Sequence, residues 1–322
     1  MMGPSNAIGR IIADVNSVAN SDLTVVIMGE TGSGKELVAR AIHNASPRSG
    51  FPFIPVDCGA IPETLLESEM FGHEKGAFTG AVLRKAGKFE MAKSGTLLLD
   101  EVSNMPLGSQ AKLLRVLQEK KIYRVGGNEP LDIDVRLLVA SNQDLTAALQ
   151  AGSFRRDLFY RLNEFVISVP PLRKRQEDIP YLAKRFLDAT NIELGKRVEG
   201  FSESAIEALL AYDWPGNVRQ LRSTIRRAVV LAHDVITEKH LDMKRVPAPS
   251  LTFAPQIQGM PWGDLSLKQI VRSNTMAIER EVIVQALKYT GGNKAKAARL
   301  LKIDYKTIHT KVKTLGISTD II

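Results

Sequence analysis

A glycine-rich loop between an apolar run and a helical stretch is the clearest sign of chemistry in this sequence. The loop follows the run 23–28 and leads into helical periodicity over 36–43. Small residues let backbone N–H groups approach phosphate oxygens, and Lys35 can reach the β- and γ-phosphates of ATP. Glu36 occupies the place where Ser or Thr usually binds Mg²⁺, so the metal must depend on other ligands. The pattern predicts ATP binding by Gly29, Glu30, Thr31, Gly32, Ser33, Gly34, Lys35 and Glu36.

Two adjacent acids follow a second apolar strand, 96–99, in the same part of the chain. Asp100 comes first and is predicted to hold Mg²⁺ or its water shell at the carboxyl edge of a sheet. Glu101 is next and can polarise the attacking water as a general base. A pair of solvated acids at a strand end is the alternative, but the phosphate-binding loop upstream disfavours it.

Four further polar residues gain a catalytic interpretation only from this ATP-binding context. Asn142 follows the apolar strand 135–140 and could sense the γ-phosphate, although Asn at a strand end is more often a turn residue. Arg155 and Arg161 lie in a helical stretch and could reach the γ-phosphate of a neighbouring subunit, or could simply be solvated. Arg219 lies near the start of a later helix and could report nucleotide to a lid, or be a surface charge.

Between the two ATP-handling elements lies a loop of small residues with one large apolar side chain, Phe78. We name residues 76–81 the Phe78 loop; they are Gly76, Ala77, Phe78, Thr79, Gly80 and Ala81. Gly, Ala and Thr form no core of their own, so we expect Phe78 to have nothing local to pack against. An apolar tip inside a nucleotide-driven domain indicates contact with another molecule. An ordinary surface loop with one buried Phe is the alternative.

The rest of the chain supplies the elements that must position these residues. Apolar runs at 23–28, 53–56, 96–99, 135–140 and 165–169 alternate with helical stretches, which predicts a parallel α/β sheet with helices on both faces. No strand pattern is visible from about 177 to 241, where three or four helices are expected. The predicted domains are an α/β core over 1–169, a helical lid over 170–245, a linker over 246–264 and a helical C-terminal domain over 265–322.

Composition and charge limit the kinds of partner that the chain can bind. The chain has 322 residues and a formal net charge of +8, and its single cysteine, Cys58, excludes disulfides within the chain. The reducing setting fits the cytoplasm, and no apolar run approaches the length of a membrane span. Eight lysine and arginine residues against Asp304 alone lie between 288 and 313. Such a concentration of positive charge is compatible with binding to nucleic acid.

That basic segment has the pattern of a helix-turn-helix. Gly291-Gly292-Asn293 ends one helix and caps the next, and Asp304 is a suitable N-cap for the last helix. Ile308, Val312 and Leu315 are predicted to be buried, and Lys302 replaces the glycine that is usual in such turns. A small basic three-helix bundle with a solvated face is the alternative. The residues predicted to contact double-stranded DNA are Tyr305, Lys306, Thr307, His309, Thr310 and Lys313.

Taken together, these motifs resemble the sigma-54-dependent transcriptional activators of bacteria, also called enhancer-binding proteins. The resemblance rests on 29–36, on Phe71-Gly72-His73-Glu74-Lys75 leading into the Phe78 loop, and on 96–101, 154–162 and 214–221. The C-terminal segment resembles the Fis-type helix-turn-helix of that family. The match covers almost the whole chain, and the Phe78 loop is specific to this family among AAA+ ATPases.

The resemblance implies an AAA+ P-loop core, a helical lid and an oligomer, from a dimer to a hexameric ring, in a two-component system. It implies ATP with Mg²⁺, contact of the Phe78 loop with sigma-54 RNA polymerase, and binding to enhancer DNA. It also makes Arg155 and Arg161 arginine fingers, Asn142 the first sensor and Arg219 the second. Remodelling of the polymerase from closed to open promoter complex is the implied activity.

Departures from the family pattern define further expectations. Asp57 stands where the family usually has Asn, which is thought to hold the catalytic Glu aside, so an acid facing Glu101 should repel it or share a proton. Gln220 and Ser223 replace a usual Glu and Asn, so packing in the lid should differ. The chain begins where the ATPase domain of the family starts, so the usual N-terminal regulatory domain is expected to be absent from it.

Two other function classes compete with promoter remodelling. A DNA-binding regulator could use ATP only to assemble, without acting on sigma-54, but the intact tip of the Phe78 loop argues against it. Another AAA+ machine, such as a helicase loader or protein unfoldase, is disfavoured by the Phe78 loop and by the helix-turn-helix.

Overall fold

The computed structural model describes residues 3–243, 275–276, 279–287, 290, 293–301 and 303–317. Two compact units divide the chain, Met1–Met243 and Lys244–Ile322. The linker predicted over 246–264 lies outside the described residues, as do Gly291, Gly292 and Lys302 of the predicted turn. Each unit is therefore taken by itself.

A five-stranded parallel sheet is the centre of the first unit. Its strands lie side by side in the order β2-β3-β6-β1-β7, and every pairing is parallel. The bounds are β1 Val25–Met28, β2 Phe53–Asp57, β3 Thr96–Asp100, β6 Arg136–Ser141 and β7 Phe165–Ser168. These five strands begin and end within two residues of the predicted runs, so the predicted α/β class is confirmed.

Helices cover both faces of the sheet, because its strands carry apolar residues on both faces. Along β3, Leu97 and Leu99 pack in one apolar cluster, and Leu98 packs in the cluster on the other face. The helices of this part are α1 Asn6–Ala19, α2 Lys35–Asn44, α3 Glu63–Phe71, α4 Lys88–Met91, α5 Leu107–Glu119, α6 Leu145–Gln150 and α7 Arg156–Leu162. A short antiparallel pair, β4 Lys121–Tyr123 and β5 Pro130–Asp132, was not predicted.

Three helices form the lid that follows the sheet: α8 Asp178–Leu194, α9 Glu203–Ala211 and α10 Asn217–Leu231. They bury a separate apolar cluster around Trp214, which has 0% of its surface exposed. The expectation of no strand here is wrong, because β8 Gly200–Phe201 pairs in parallel with β9 Val235–Ile236. Two-residue strands are too short to show an alternating pattern in a sequence.

The described residues of the second unit are mostly helical. Residues 279–287 are helical, and the helices Lys294–Leu300 and Tyr305–Thr314 follow. Asn293 caps the first of this pair by accepting a hydrogen bond from the Lys296 N–H at 3.1 Å. Asp304 occupies the N-cap position of the last helix without a side-chain capping bond. Ile308 and Val312 are buried in the small core, and Leu315 packs against it.

Candidate functional site

The phosphate-binding loop lies between the end of β1 and the start of α2. Lys35 is buried, and its Nζ donates to the carbonyls of Gly29 at 2.9 Å and Glu30 at 3.3 Å. Burial lowers the pKa of Lys35, while the nearby Asp100 and Glu101 carboxylates raise it. The ammonium group is therefore held at the loop with the two predicted catalytic acids close by.

The lid packs directly on this loop. At Gly32, with φ of +76°, a methyl group would lie 2.5 Å from the Gly216 carbonyl and 3.0 Å from Cβ of Arg219. The N–H groups of Val218 and Arg219 donate to the Gly32 carbonyl at 3.0 and 3.4 Å. Only glycine fits this approach and this backbone conformation. Arg219, the predicted second sensor, is thus joined to the phosphate-binding loop.

Asn217 connects the lid, the loop and the segment between core and lid. Its Nδ2 donates to Glu30 Oε2 and to the Thr31 carbonyl, both at 3.1 Å. Its Oδ1 accepts from the Leu172 N–H at 2.7 Å. Asn217 is fully buried and has φ of +50°, a conformation that Asn tolerates better than most residues. Sequence analysis did not single out Asn217, although Asn after Pro-Gly is a signal for such a backbone.

Two arginines just after the core also bind the loop, and sequence analysis missed both. Arg173 forms a two-pronged ion pair with Glu30 at 2.9 and 2.5 Å. This bond is the main cause that lowers the pKa of Glu30. Arg175 is buried and donates from Nη2 to the Ser33 carbonyl at 2.6 Å. No local sequence signal links either arginine to a loop about 140 residues earlier.

A cavity of about 280 Å³ opens beside the loop, between α2 and the lid. Its walls include Leu37, Leu182, Phe186 and Val218, with Arg175 among the polar lining. Arg175 Nε and Nη1 form no hydrogen bond within the described part of the chain. Nη1 does lie 3.8 Å from Asp178 Oδ2, in a buried ion pair. The apolar walls of the cavity suit a flat group such as a nucleobase.

The predicted catalytic acids lie at the carboxyl end of β3. Asp100 Oδ1 accepts from the Glu101 N–H at 2.9 Å, and Asn104 Nδ2 donates to Glu101 Oε2 at 2.9 Å. Glu101 has φ of +53°. A non-glycine residue in this region costs about 1–3 kcal/mol and persists where the surroundings impose it, often at functional sites. The surroundings thus impose a strained backbone at the predicted general base.

Asp57 lies beside these acids because β2 pairs with β3 in the register Asp57 to Asp100. Its Oδ1 accepts from the N–H groups of Gly59 at 2.9 Å and Ala60 at 3.2 Å. Asp57 thus has donors of its own, and within the described residues no hydrogen bond joins it to Glu101. Burial, followed by the Asp57, Asp100 and Glu101 charges, raises the pKa of Cys58 to about 12.

The remaining predicted catalytic residues separate into two places. Asn142 Nδ2 donates to Thr31 Oγ1 at 3.4 Å, so the predicted first sensor does reach the loop. Arg155 forms an exposed ion pair with Asp157 at 2.7 Å. Arg161 contacts the Leu117 carbonyl at 3.4 Å and is about half exposed. The two arginines are thus held on the surface of the protomer by partners other than the phosphate-binding loop.

The Phe78 loop is closed by its own backbone. Gly76 N–H donates to the Ala81 carbonyl at 2.8 Å, and Ala81 N–H donates to the Phe78 carbonyl at 3.0 Å. The expectation that Phe78 has nothing local to pack against is wrong, because its ring lies edge-on to His73 with centroids 5.0 Å apart. Phe78 nevertheless keeps 39% of its surface exposed. The Phe78 side chain therefore contacts His73 but remains partly exposed to solvent.

An ion-pair network holds the base of the Phe78 loop. Arg124, which follows β4, donates to Glu74 at 2.8 Å and to Glu90 at 2.9 and 2.5 Å. Glu90 is the main cause that raises the pKa of Arg124. Arg124 is almost fully buried, so these charged hydrogen bonds fix the geometry of the base.

The last helix of the second unit presents most of the residues predicted to contact DNA. Tyr305, Lys306, His309, Thr310 and Lys313 are exposed, and Thr307 is half-buried. The rings of Tyr305 and His309 lie 6.2 Å apart on one face. Ile308 and Val312 point into the core. The described part of this unit is therefore compatible with a recognition helix.

Three family descriptions match successive parts of the chain. "Sigma-54 interaction domain" matches residues 1–168, "AAA+ ATPase lid domain" matches 173–251, and "Bacterial regulatory protein, Fis family" matches 277–315. No helix among the described residues is long and apolar enough to span a membrane.

Related proteins cover nearly the whole chain. Transcriptional regulatory protein ZraR of Klebsiella oxytoca is 46% identical over 312 residues, which are 97% of this chain and 68% of that protein. Anaerobic nitric oxide reductase transcription regulator NorR of Escherichia coli O81 is 46% identical, over 98% of this chain and 63% of that protein. The crystal structure of NtrX from Brucella abortus in complex with ADP has a TM-score of 0.71 and 33% identity, over 98% of this chain and 69% of that one.

Proposed function

The chain belongs to the sigma-54-dependent transcriptional activators, and from that premise we propose that it couples ATP hydrolysis to promoter opening. It is an AAA+ P-loop ATPase with a Fis-type helix-turn-helix. In the proposal the C-terminal helices bind enhancer DNA, and the Phe78 loop acts on sigma-54 RNA polymerase to convert the closed promoter complex to the open one. The proposal includes a cytoplasmic location, where both partners would be met.

One observation carries this proposal: the Phe78 loop is inserted between two neighbouring strands of the nucleotide site. The chain leaves β2 at Asp57, crosses α3, forms the loop and returns through α4 to β3, which ends at Asp100. Strands β2 and β3 are paired along their length. Asp57 begins the segment that carries Phe78, and that segment returns to β3, the strand that leads to Glu101. We infer that a movement of the paired ends of β2 and β3 is passed to the segment that carries Phe78.

The proposed chemistry assigns a role to each group around the phosphates. Lys35 and the loop N–H groups bind the phosphates, Glu101 removes a proton from the attacking water, and Asn142 and Arg219 respond to the γ-phosphate. Asp100, the phosphate oxygens and water would hold Mg²⁺, which neutralises charge on the phosphates when bound. Arg155 and Arg161 face outward in one protomer, so they would complete the site of a neighbour in a ring, for which we propose a hexamer.

Replacing Phe78 with alanine tests the proposal. We expect Phe78→Ala to hydrolyse ATP and bind DNA while losing roughly 100-fold or more in open-complex formation by sigma-54 polymerase, because the central apolar contact is removed. ATP hydrolysis and open-complex formation are measured with the same purified protein. Ile192→Ala is the matched control, since Ile192 is an apolar side chain that is 84% exposed on the lid helix α8, away from the loop.

Two outcomes contradict the proposal. Full promoter opening by Phe78→Ala shows that the tip is not the contact. A parent protein that binds DNA and ATP but never supports opening favours the regulator that uses ATP only to assemble.

A second prediction concerns Asp57. We expect Asp57→Asn to lower the basal ATPase rate about threefold to tenfold, because an amide could still accept from Gly59 and Ala60 and could also donate to Glu101. The pH profile of hydrolysis should change as well, since a charge beside the base is removed. Steady-state hydrolysis between pH 5 and 9 is the measurement, and an unchanged rate and profile would show that Asp57 does not act on Glu101.

A further inference from the structure

His73 joins three separate parts of the structure around the Phe78 loop. Its Nδ1 lies 2.8 Å from Ser68 Oγ, on helix α3. Its Nε2 lies 3.0 Å from the carbonyl oxygen of Leu83, in the segment that leaves the loop. The ring itself contacts Phe78. His73 keeps only 9% of its surface exposed, so these contacts are made by a buried side chain.

The two hydrogen bonds fix the orientation of the imidazole. A carbonyl oxygen can only accept, so Nε2 carries the hydrogen and donates to Leu83. In the neutral ring Nδ1 is then an acceptor, and Ser68 Oγ donates to it. Because both nitrogens are engaged, the ring cannot rotate without breaking a bond, and the face or edge presented to Phe78 is fixed.

Backbone hydrogen bonds also anchor His73 and its neighbour Glu74. His73 and Lys85 exchange two backbone hydrogen bonds of 3.0 Å, and Glu74 N–H donates to the Val125 carbonyl at 3.0 Å. Beyond this anchor the chain exposes two apolar side chains, Val82 at 72% and Leu83 at 74%. His73 is therefore the last buried residue before an apolar tip that includes Phe78, Val82 and Leu83.

We propose that His73 is a positioning residue that ties the tip of the Phe78 loop and its outgoing segment to helix α3, so that they move as one body. The inference deepens the proposed function and rests on it for the effect on the polymerase. Helix α3 follows β2, which ends at Asp57. A movement of α3 is then transmitted through the His73 imidazole and displaces the apolar tip.

Two substitutions separate the contacts of His73. His73→Phe keeps a ring against Phe78 but removes both hydrogen bonds, and His73→Gln keeps a donor toward Leu83 but removes the ring. The same changes at His233, which is exposed in the lid, are the matched controls. One measurement is hydrogen exchange of the backbone amides in 76–84, and the other is the number of open complexes formed per ATP hydrolysed.

We expect both His73 variants to exchange these amides about fivefold faster than the parent, as the loss of roughly one net hydrogen bond would give. Open complexes per ATP should fall by about fivefold or more, since a displaced tip meets its partner less often. This ratio is insensitive to a general loss of folded protein, because opening and hydrolysis then fall together.

The outcomes test the role of His73 separately from the proposed function. Exchange and ratio within about twofold of the parent in both variants would overturn the role of His73. A lower ratio with unchanged exchange would also overturn it, because His73 would then act without positioning the loop. Faster exchange in a protein whose parent form never opens promoters would support the positioning role and remove the proposed function.

Discussion

Changing Glu101 to glutamine is expected to lower the rate of ATP hydrolysis by about 10²–10⁴-fold while ATP binding is retained. Glutamine has nearly the same shape and can still bond Asn104, but it cannot take a proton from water. The strained backbone at Glu101 and the bond from Asn104 hold the side chain in a defined position. The loss should therefore come from the missing base and not from a displaced loop.

Single-turnover hydrolysis and equilibrium binding of a fluorescent ATP analogue check this prediction. Glu119→Gln is the matched control, because Glu119 is an exposed acid at the end of α5. A loss of binding equal to the loss of rate would mean that the substitution damages the phosphate-binding loop. A rate within about tenfold of the parent would assign the general base to another group.

The central sheet could be predicted from the sequence because its information is local. The run 137–140 is apolar throughout, as strands buried on both faces tend to be, and it lies between helical stretches. The family likeness, and with it the AAA+ fold, is confirmed by the matching family descriptions and by the NtrX structures. By contrast, β4, β5, β8 and β9 have two or three residues each, too few for any periodicity.

The contacts between lid and loop could not be predicted, for a different reason. Asn217, Arg173 and Arg175 bind residues that lie about 140 to 190 positions earlier. Each looks locally like an ordinary cap or surface charge. Only the tertiary fold turns them into a set that holds Glu30, Thr31 and Ser33. The residues predicted for catalysis remain predictions, although the structure brings Asn142 and Arg219 to the same loop.

The Phe78 loop shows how composition misleads over short distances. Small residues within the loop offer no core, but the partner of Phe78 is His73, just outside the loop on the incoming side. An imidazole in Phe71-Gly72-His73 resembles a surface residue in sequence. His73 is buried because its ring bonds to Ser68 on helix α3 and to the carbonyl of Leu83, where the chain returns from the loop.

Arg155→Ala and Arg161→Ala are expected to lower ATP hydrolysis by about 10³–10⁵-fold if each supplies a finger to the neighbouring subunit. In one protomer Arg155 pairs with exposed Asp157, and Arg161 makes a long bond to the Leu117 carbonyl and a long ion pair with Glu164 at 3.9 Å. Both side chains can therefore leave their partners at small cost, because exposed ion pairs are weak. Steady-state hydrolysis of each variant, with Arg156→Ala as the control from the same helix, measures the effect.

Mixing two inactive variants then decides whether the arginine acts within a subunit or between subunits. A site in a mixed ring is complete when its own chain is Arg161→Ala, which keeps Glu101, and its neighbour is Glu101→Gln, which keeps Arg161. In an equal mixture about one site in four meets both conditions, so roughly a quarter of the parent activity should return. If Arg161 served its own subunit, every site would lack one group and mixing would restore nothing. The result therefore tests both the role of the arginine and the ring that the proposed function requires.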